Sequence, residues 1–68
     1  MKKSAYLIGI KGVGMTALAV YLKEKGFEVV GSDVTDIFAI DTILKKFAIP
    51  VKKGFHPENI DKKYDLVV

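Results

Sequence analysis

The stretch YLIGIKGVGMTALA, Tyr6 to Ala19, decides the fold. An apolar run enters a turn holding Gly9, Gly12 and Gly14, and the chain leaves that turn as the start of a helix. A short, wholly apolar run of this kind suits a parallel strand buried on both faces. The strand is expected over Ala5 to Ile10 and the helix over Val13 to Lys25, with Ala17, Leu18, Tyr21 and Leu22 as its apolar face. Lys23 and Lys25 suit the negative end of the helix dipole, and Gly26 suits a left-handed cap.

The same alternation continues outward. Glu28 to Ser32 reads as a second strand, and Asp36 can cap a second helix in which Ile37, Ile40, Leu44 and Phe47 share a face. Pro50 marks where that helix has ended. Val51 to Lys53 is a short strand candidate, Pro57 stands where a first helical position tolerates proline, and YDLVV, Tyr64 to Val68, is again a strand. Strands and helices alternating with short connections require right-handed crossovers and a parallel sheet. The expected architecture is a Rossmann-like, doubly wound, three-layer α/β domain. The exposed apolar ending suggests that residues 1–68 are an incomplete piece of it.

The glycine turn has a chemical meaning. Where a strand runs straight into a helix, the first N–H groups of the helix lack intrahelical partners and the positive end of the dipole lies behind them. An anion belongs there, and glycines let a pyrophosphate approach closely. The fingerprint G-x-G-x-x-G aligns with Gly9, Lys11 and Gly14, so its middle glycine is replaced; the shifted frame Gly12-x-Gly14-x-x-Ala17 fits the G-x-G-x-x-A form. Tight strand–helix packing alone would also ask for such glycines. Lys11 is either a solvated loop lysine or a mobile cation at the rim of the phosphates. On the anion reading, a side chain at Gly14 would block approach and strain the backbone. Asp33, 19 residues beyond Gly14, stands where an acidic group in this topology accepts hydrogen bonds from a ribose, or simply where a turn follows a strand. His56, the only histidine, is a ligand contact or a surface residue. No metal cluster and no nucleophile–base pair can be assembled from these residues.

Composition removes several classes. All eleven basic residues are lysines, scattered or in pairs, and the net charge is +3. With no arginine to fork onto phosphates or base edges, a nucleic-acid partner is not expected. The residues are 50% hydrophobic and 28% charged, unlike a disordered tail. Cysteine is absent, so no disulfide framework exists. Met1-Lys2-Lys3 and Ala17-Leu18-Ala19 imitate parts of an export signal, but Lys11 and the glycines interrupt its apolar centre. No run reaches the length of a membrane span, no membrane partner is expected, and the expected compartment is the cytoplasm.

Taken together, GIKGVGM, TALA, GFEVVGSD, GFHPENI and YDLVV resemble the amino-terminal, UDP-binding domain of the Mur ligase family over nearly the whole chain. Gly9, Gly12, Gly14, Met15, Ser32 and Asp33 match the family pattern position by position, whereas Lys11 stands in place of a glycine and Phe55 in place of a histidine. Within the family, the pattern is most similar to the members that add L-alanine to UDP-N-acetylmuramate. The members that attach a preformed tripeptide to the same substrate are the close alternative.

The resemblance implies a full-length amide-forming ligase of peptidoglycan precursor synthesis, dependent on ATP and Mg²⁺, which activates the muramate carboxylate as an acyl phosphate. It also implies that Gly9, Lys11, Gly12, Val13, Gly14, Met15, Ser32, Asp33 and His56 bind the UDP moiety. No G-x-x-x-x-G-K-[ST] occurs, so residues 1–68 are expected to bind substrate without catalysing and without holding the ATP or Mg²⁺ themselves. An NAD(P)-binding dehydrogenase domain and a nucleotide-sensing module remain the readings from other classes.

Overall fold

The computed structural model describes residues 2–34, 39–56, 58, 60 and 62–68. Chain order is β1 (Ser4–Ile8), α1 (Val13–Glu24), β2 (Glu28–Asp33), α2 (Ile40–Lys46), β3 (Val51–Lys53) and β4 (Leu66–Val67). The strands form one sheet in the order β3-β2-β1-β4, and every pairing is parallel. Ser4 to Ile8 pair with Glu28 to Ser32, and Gly31 to Asp33 pair with Val51 to Lys53. Two successive steps in one direction, each right-handed, place both helices on the same face. One buried cluster accordingly joins Ala5, Leu7 and Val29 of the strands to Ala19 and Leu22 of α1 and Leu44 of α2.

After β3 the chain reverses and adds β4 on the far side of β1. The ladder continues past the last strand residue: Val68 N–H donates to the Tyr6 carbonyl and Ile8 N–H to the Val68 carbonyl, both at 2.9 Å. Tyr64 is buried against Tyr6, ring centroids 5.2 Å apart, on the face away from the helices. Asp65 fixes the entry to β4, its carboxylate accepting the Ser4 N–H at 2.8 Å. Beside it, at the start of β2, the Lys62 ammonium donates to Glu28 and lowers the pKa of that carboxyl from its ordinary value.

Two expectations need correction, and a third falls on residues outside those described. Ile10 is not part of β1: Gly9 has φ +77°, which bends the chain, and Ile10 folds over the sheet as a wholly buried residue. The buried stripe of α1 is Thr16, Ala19 and Leu22, while Tyr21 is exposed and stacks under the Lys25 ammonium at 5.4 Å. Thr16 can sit inside because its hydroxyl donates to the Ile10 carbonyl at 2.7 Å. The second helix begins at Ile40; Asp36, Ile37 and Pro57, to which capping and helical positions were assigned, lie outside the described residues.

Both helices close with the same hydrogen-bond pair. At α1, Gly26 N–H donates to the Lys23 carbonyl and Phe27 N–H to the Leu22 carbonyl; at α2, Ala48 and Ile49 donate to Lys45 and Leu44 in the same way. The left-handed residue is Gly26 at φ +93° in the first case but Ala48 at φ +55° in the second. A Cβ in that region costs about 1 kcal/mol, partly offset by the lower backbone entropy of the unfolded alanine. Ala48→Gly is expected to stabilise the full-length protein by about 0.5 kcal/mol, read as a higher denaturant midpoint with an unchanged slope.

Candidate functional site

The glycine turn is bound to the end of β2 by a compact set of hydrogen bonds. Gly9 and Ile10 both donate to the Ser32 carbonyl, at 2.8 and 3.1 Å, and Gly12 N–H closes the turn on the Gly9 carbonyl at 3.0 Å. The Lys11 N–H donates to Asp33 Oδ2 at 2.7 Å, and the Val34 N–H to Oδ1 of the same carboxylate at 2.7 Å. The Asp33 carbonyl accepts from Gly54 N–H at 2.7 Å, so this one residue joins the turn, β2 and the end of β3.

Sequence explains why β2 ends in Gly31-Ser32-Asp33. A Cβ at Gly31 would lie 2.5 Å from Ile10 Cδ1 and 2.6 Å from Ile10 Cβ, so only glycine leaves room for the buried isoleucine. Ser32 supplies the carbonyl that holds the turn, and Asp33 supplies the carboxylate. Asp33 is buried, and each of its oxygens keeps further acceptor capacity beyond the single backbone bond it receives.

Helix α1 starts directly above this arrangement. Gly12 is its N-cap with extended backbone, no side chain caps the first turn, and the first turn carries no acidic residue. Val13 is 86% exposed, leaving the helix end open to solvent. Gly14 is in ordinary helical conformation, and a Cβ built on it meets nothing within 4 Å. The expectation that a side chain there strains the backbone is therefore incorrect. What a residue at this position would occupy is the open space before the helix amides, because helical Cβ atoms lean toward the N-terminus.

Lys11 is neither solvated nor mobile at the rim. Its ammonium pairs with Asp41 Oδ1 of α2 at 3.0 Å, with 8% of the side chain exposed. His56 lies apart from the glycine turn, packed over Gly54, whose φ is +79°, with Nδ1 3.8 Å from Glu58 Oε1. It joins Tyr6, Ile8, Ser32, Phe55 and Ile60 around a cavity of about 260 Å³. Among the described residues, the Tyr6 hydroxyl is the one buried side-chain polar atom without a hydrogen-bond partner, and its residue lines this cavity. Ser32 links the two regions, holding the turn with its carbonyl while lining the cavity.

Sequence reasoning missed Tyr6, Thr16, Gly31 and Asp41. Gly31 carried a signal in its place inside a β-branched strand, where glycine often marks a close approach. Among the described residues, no group of three or more His, Cys, Asp or Glu could hold a metal ion, and no helix is long and apolar enough to cross a membrane.

A parallel sheet, a glycine turn at the carboxyl end of its first strand and an uncapped helix above that turn define a Rossmann-like α/β domain, the class of fold in which such a helix end is left open. The sequence profile described as Mur ligase family, catalytic domain, matches residues 4–68, and the chain belongs to that family. It is 44% identical over 63 residues to UDP-N-acetylmuramate–L-alanine ligase from Treponema pallidum (strain Nichols), covering 93% of this chain and 13% of that protein. It is 46% identical over 67 residues to the enzyme of the same name from Dictyoglomus turgidum, covering 97% of this chain and 14% of the relative. A crystal structure of UDP-N-acetylmuramate:L-alanyl-γ-D-glutamyl-meso-diaminopimelate ligase from Neisseria meningitides superimposes with a TM-score of 0.88 at 37% identity, over 98% of this chain and 21% of that one. The chain thus spans about one seventh of the length of the curated relatives it matches, 13% and 14% in these two cases.

Proposed function

We propose that residues 1–68 form the amino-terminal part of a UDP-binding domain and hold the UDP moiety of UDP-N-acetylmuramate in a cytoplasmic ligase of peptidoglycan precursor synthesis. The observation that carries this reading is the open helix end over Gly12, Val13, Gly14 and Met15, in a chain similar along its length to ligases named for that substrate. The amides of the first helical turn receive the pyrophosphate. The spare acceptor capacity of Asp33 suits ribose hydroxyls, and the cavity beside Ser32 offers apolar walls and the Tyr6 hydroxyl to the nucleoside end. His56, at the wall of that cavity, contacts the same end.

Residues 1–68 contribute binding rather than bond making. Energy gained on the distant nucleotide positions the reacting carboxylate elsewhere in the whole enzyme. ATP and Mg²⁺ are assigned to the remainder of that enzyme, where they supply activation of the carboxylate. L-Alanine is the proposed acceptor, in keeping with the names of the curated relatives. A second reading, transfer to a preformed tripeptide, is supported by the structural likeness to the Neisseria ligase. Turnover by the full-length enzyme with ATP and UDP-N-acetylmuramate separates the two: faster product formation with L-alanine is expected, and a preference for the tripeptide would establish the second reading instead.

A further inference from the structure

Lys11 occupies the crown of the glycine turn, yet its side chain turns inward. Its N–H is tied to Asp33 at the end of β2, and its ammonium is paired with Asp41 in the first turn of α2. One residue therefore links three elements: the turn that opens α1, the last residue of β2 and the start of α2. With only 8% of the Lys11 side chain exposed, the pair sits where solvent screens it weakly. Asp41 is more open, with 28% of its side chain exposed, so the cost of breaking the pair falls mainly on the buried lysine.

We infer that the Lys11–Asp41 pair is a positioning clamp for the anion site, fixing the glycine turn against α2 so that the first amides of α1 are held in the arrangement the ligand needs. On this view Lys11 is a positioning residue whose ammonium turns to Asp41, and it does not serve the phosphates as a direct contact. The inference rests on the proposed nucleotide-sugar reading only for the identity of the ligand.

The two roles give opposite signs at Asp41. If Lys11 met the phosphates directly, removing Asp41 would release a competing anion and tighten binding. If the pair is a clamp, Asp41→Asn weakens binding, as Lys11→Met does. Contacting residues coupled through one interaction act non-additively, so each single substitution is expected to raise the dissociation constant about tenfold, and the double variant no further than the weaker-binding single. Replacing both charges by apolar groups, as in Lys11→Met with Asp41→Leu, is expected to recover the melting temperature lost in the singles while binding stays weak. A purely structural role would return binding together with stability. Lys11→Arg keeps the charge and is expected to keep most of the affinity.

The experiment uses the full-length protein, with two readouts: amide hydrogen exchange of the unliganded protein at residues 9–12, and titration with UDP-N-acetylmuramate. Faster exchange at the turn in both single variants, together with weaker binding in both, is the expected result. Unchanged exchange in the singles, or tighter binding by Asp41→Asn, overturns the clamp. Should exchange rise as expected while even the unsubstituted protein fails to bind the nucleotide sugar, the clamp stands and the ligand assignment falls.

Discussion

Gly14→Val in the full-length protein is expected to abolish binding of the nucleotide sugar while the protein stays folded. The position is the second residue of α1, its backbone is ordinary helix, and a Cβ on it meets nothing within 4 Å. Valine is also a better helix residue than glycine, so the melting temperature should hold or rise slightly, by a few tenths of a kcal/mol in stability. The added carbons occupy the space before the Val13, Gly14 and Met15 amides, where the pyrophosphate is proposed to sit. A branched side chain there keeps the pyrophosphate beyond hydrogen-bond reach of those donors. Titration and a melting curve on the same preparation check both halves of the expectation. A folded Gly14→Val protein that binds normally would mean that the anion does not rest on this helix and that the glycines serve packing.

Gly31 carries the second large effect, and it is of the opposite kind. Gly31→Val should lower stability and binding together, because its Cβ would overlap Ile10 at 2.5 to 2.8 Å. Ile10 has nowhere to go. It is wholly buried, its N–H donates to Ser32 and its carbonyl accepts from Thr16. Overpacking of a filled core costs about 1–3 kcal/mol, and the alanine variant should already lie in that range. Since Ile10 stands between Gly9 and Lys11, any shift that relieves the overlap also moves the turn. Truncating Ile10 to alanine should not rescue Gly31→Val, because the Ile10 Cβ is itself 2.6 Å from the new atom. Denaturant midpoints unaffected by Gly31→Ala would contradict this packing.

These two glycines show what the sequence disclosed and what it withheld. Alternating apolar runs and helical spacing were enough to place β1, α1, β2 and β3, because each element's periodicity is local, and Gly26 announced the end of α1. Ile10 was misplaced because hydrophobicity alone does not separate a strand residue from a turn residue folded over the sheet. On α1 the spacing places Leu18 and Leu22 against the core correctly but also assigns the exposed Ala17 and Tyr21, and it omits Thr16, since a buried threonine becomes intelligible only once the Ile10 carbonyl it bonds is in place. Ala48 gave no warning of a left-handed cap, a position where glycine is the usual signal.

Within the site, the glycine turn and Asp33 were legible as a pair and do come together, although Asp33 also holds the turn by its backbone. The inward course of Lys11 was not legible: its partner Asp41 lies 30 positions along the chain, on a helix whose orientation only the fold supplies. His56 proved to belong with a cavity whose other walls come from β1, the end of β2 and the β3–β4 connection, a grouping set by the sheet order and not by sequence neighbourhood.

The glycine turn is proposed to receive the pyrophosphate of a nucleotide sugar. Calorimetric titration of the full-length protein with UDP-N-acetylmuramate, NAD and NADP in turn tests this most directly. Tight, saturable binding of the nucleotide sugar, with little or none of either nicotinamide cofactor, is the predicted result; a clear preference for NAD or NADP would contradict it and return the domain to the dehydrogenase reading.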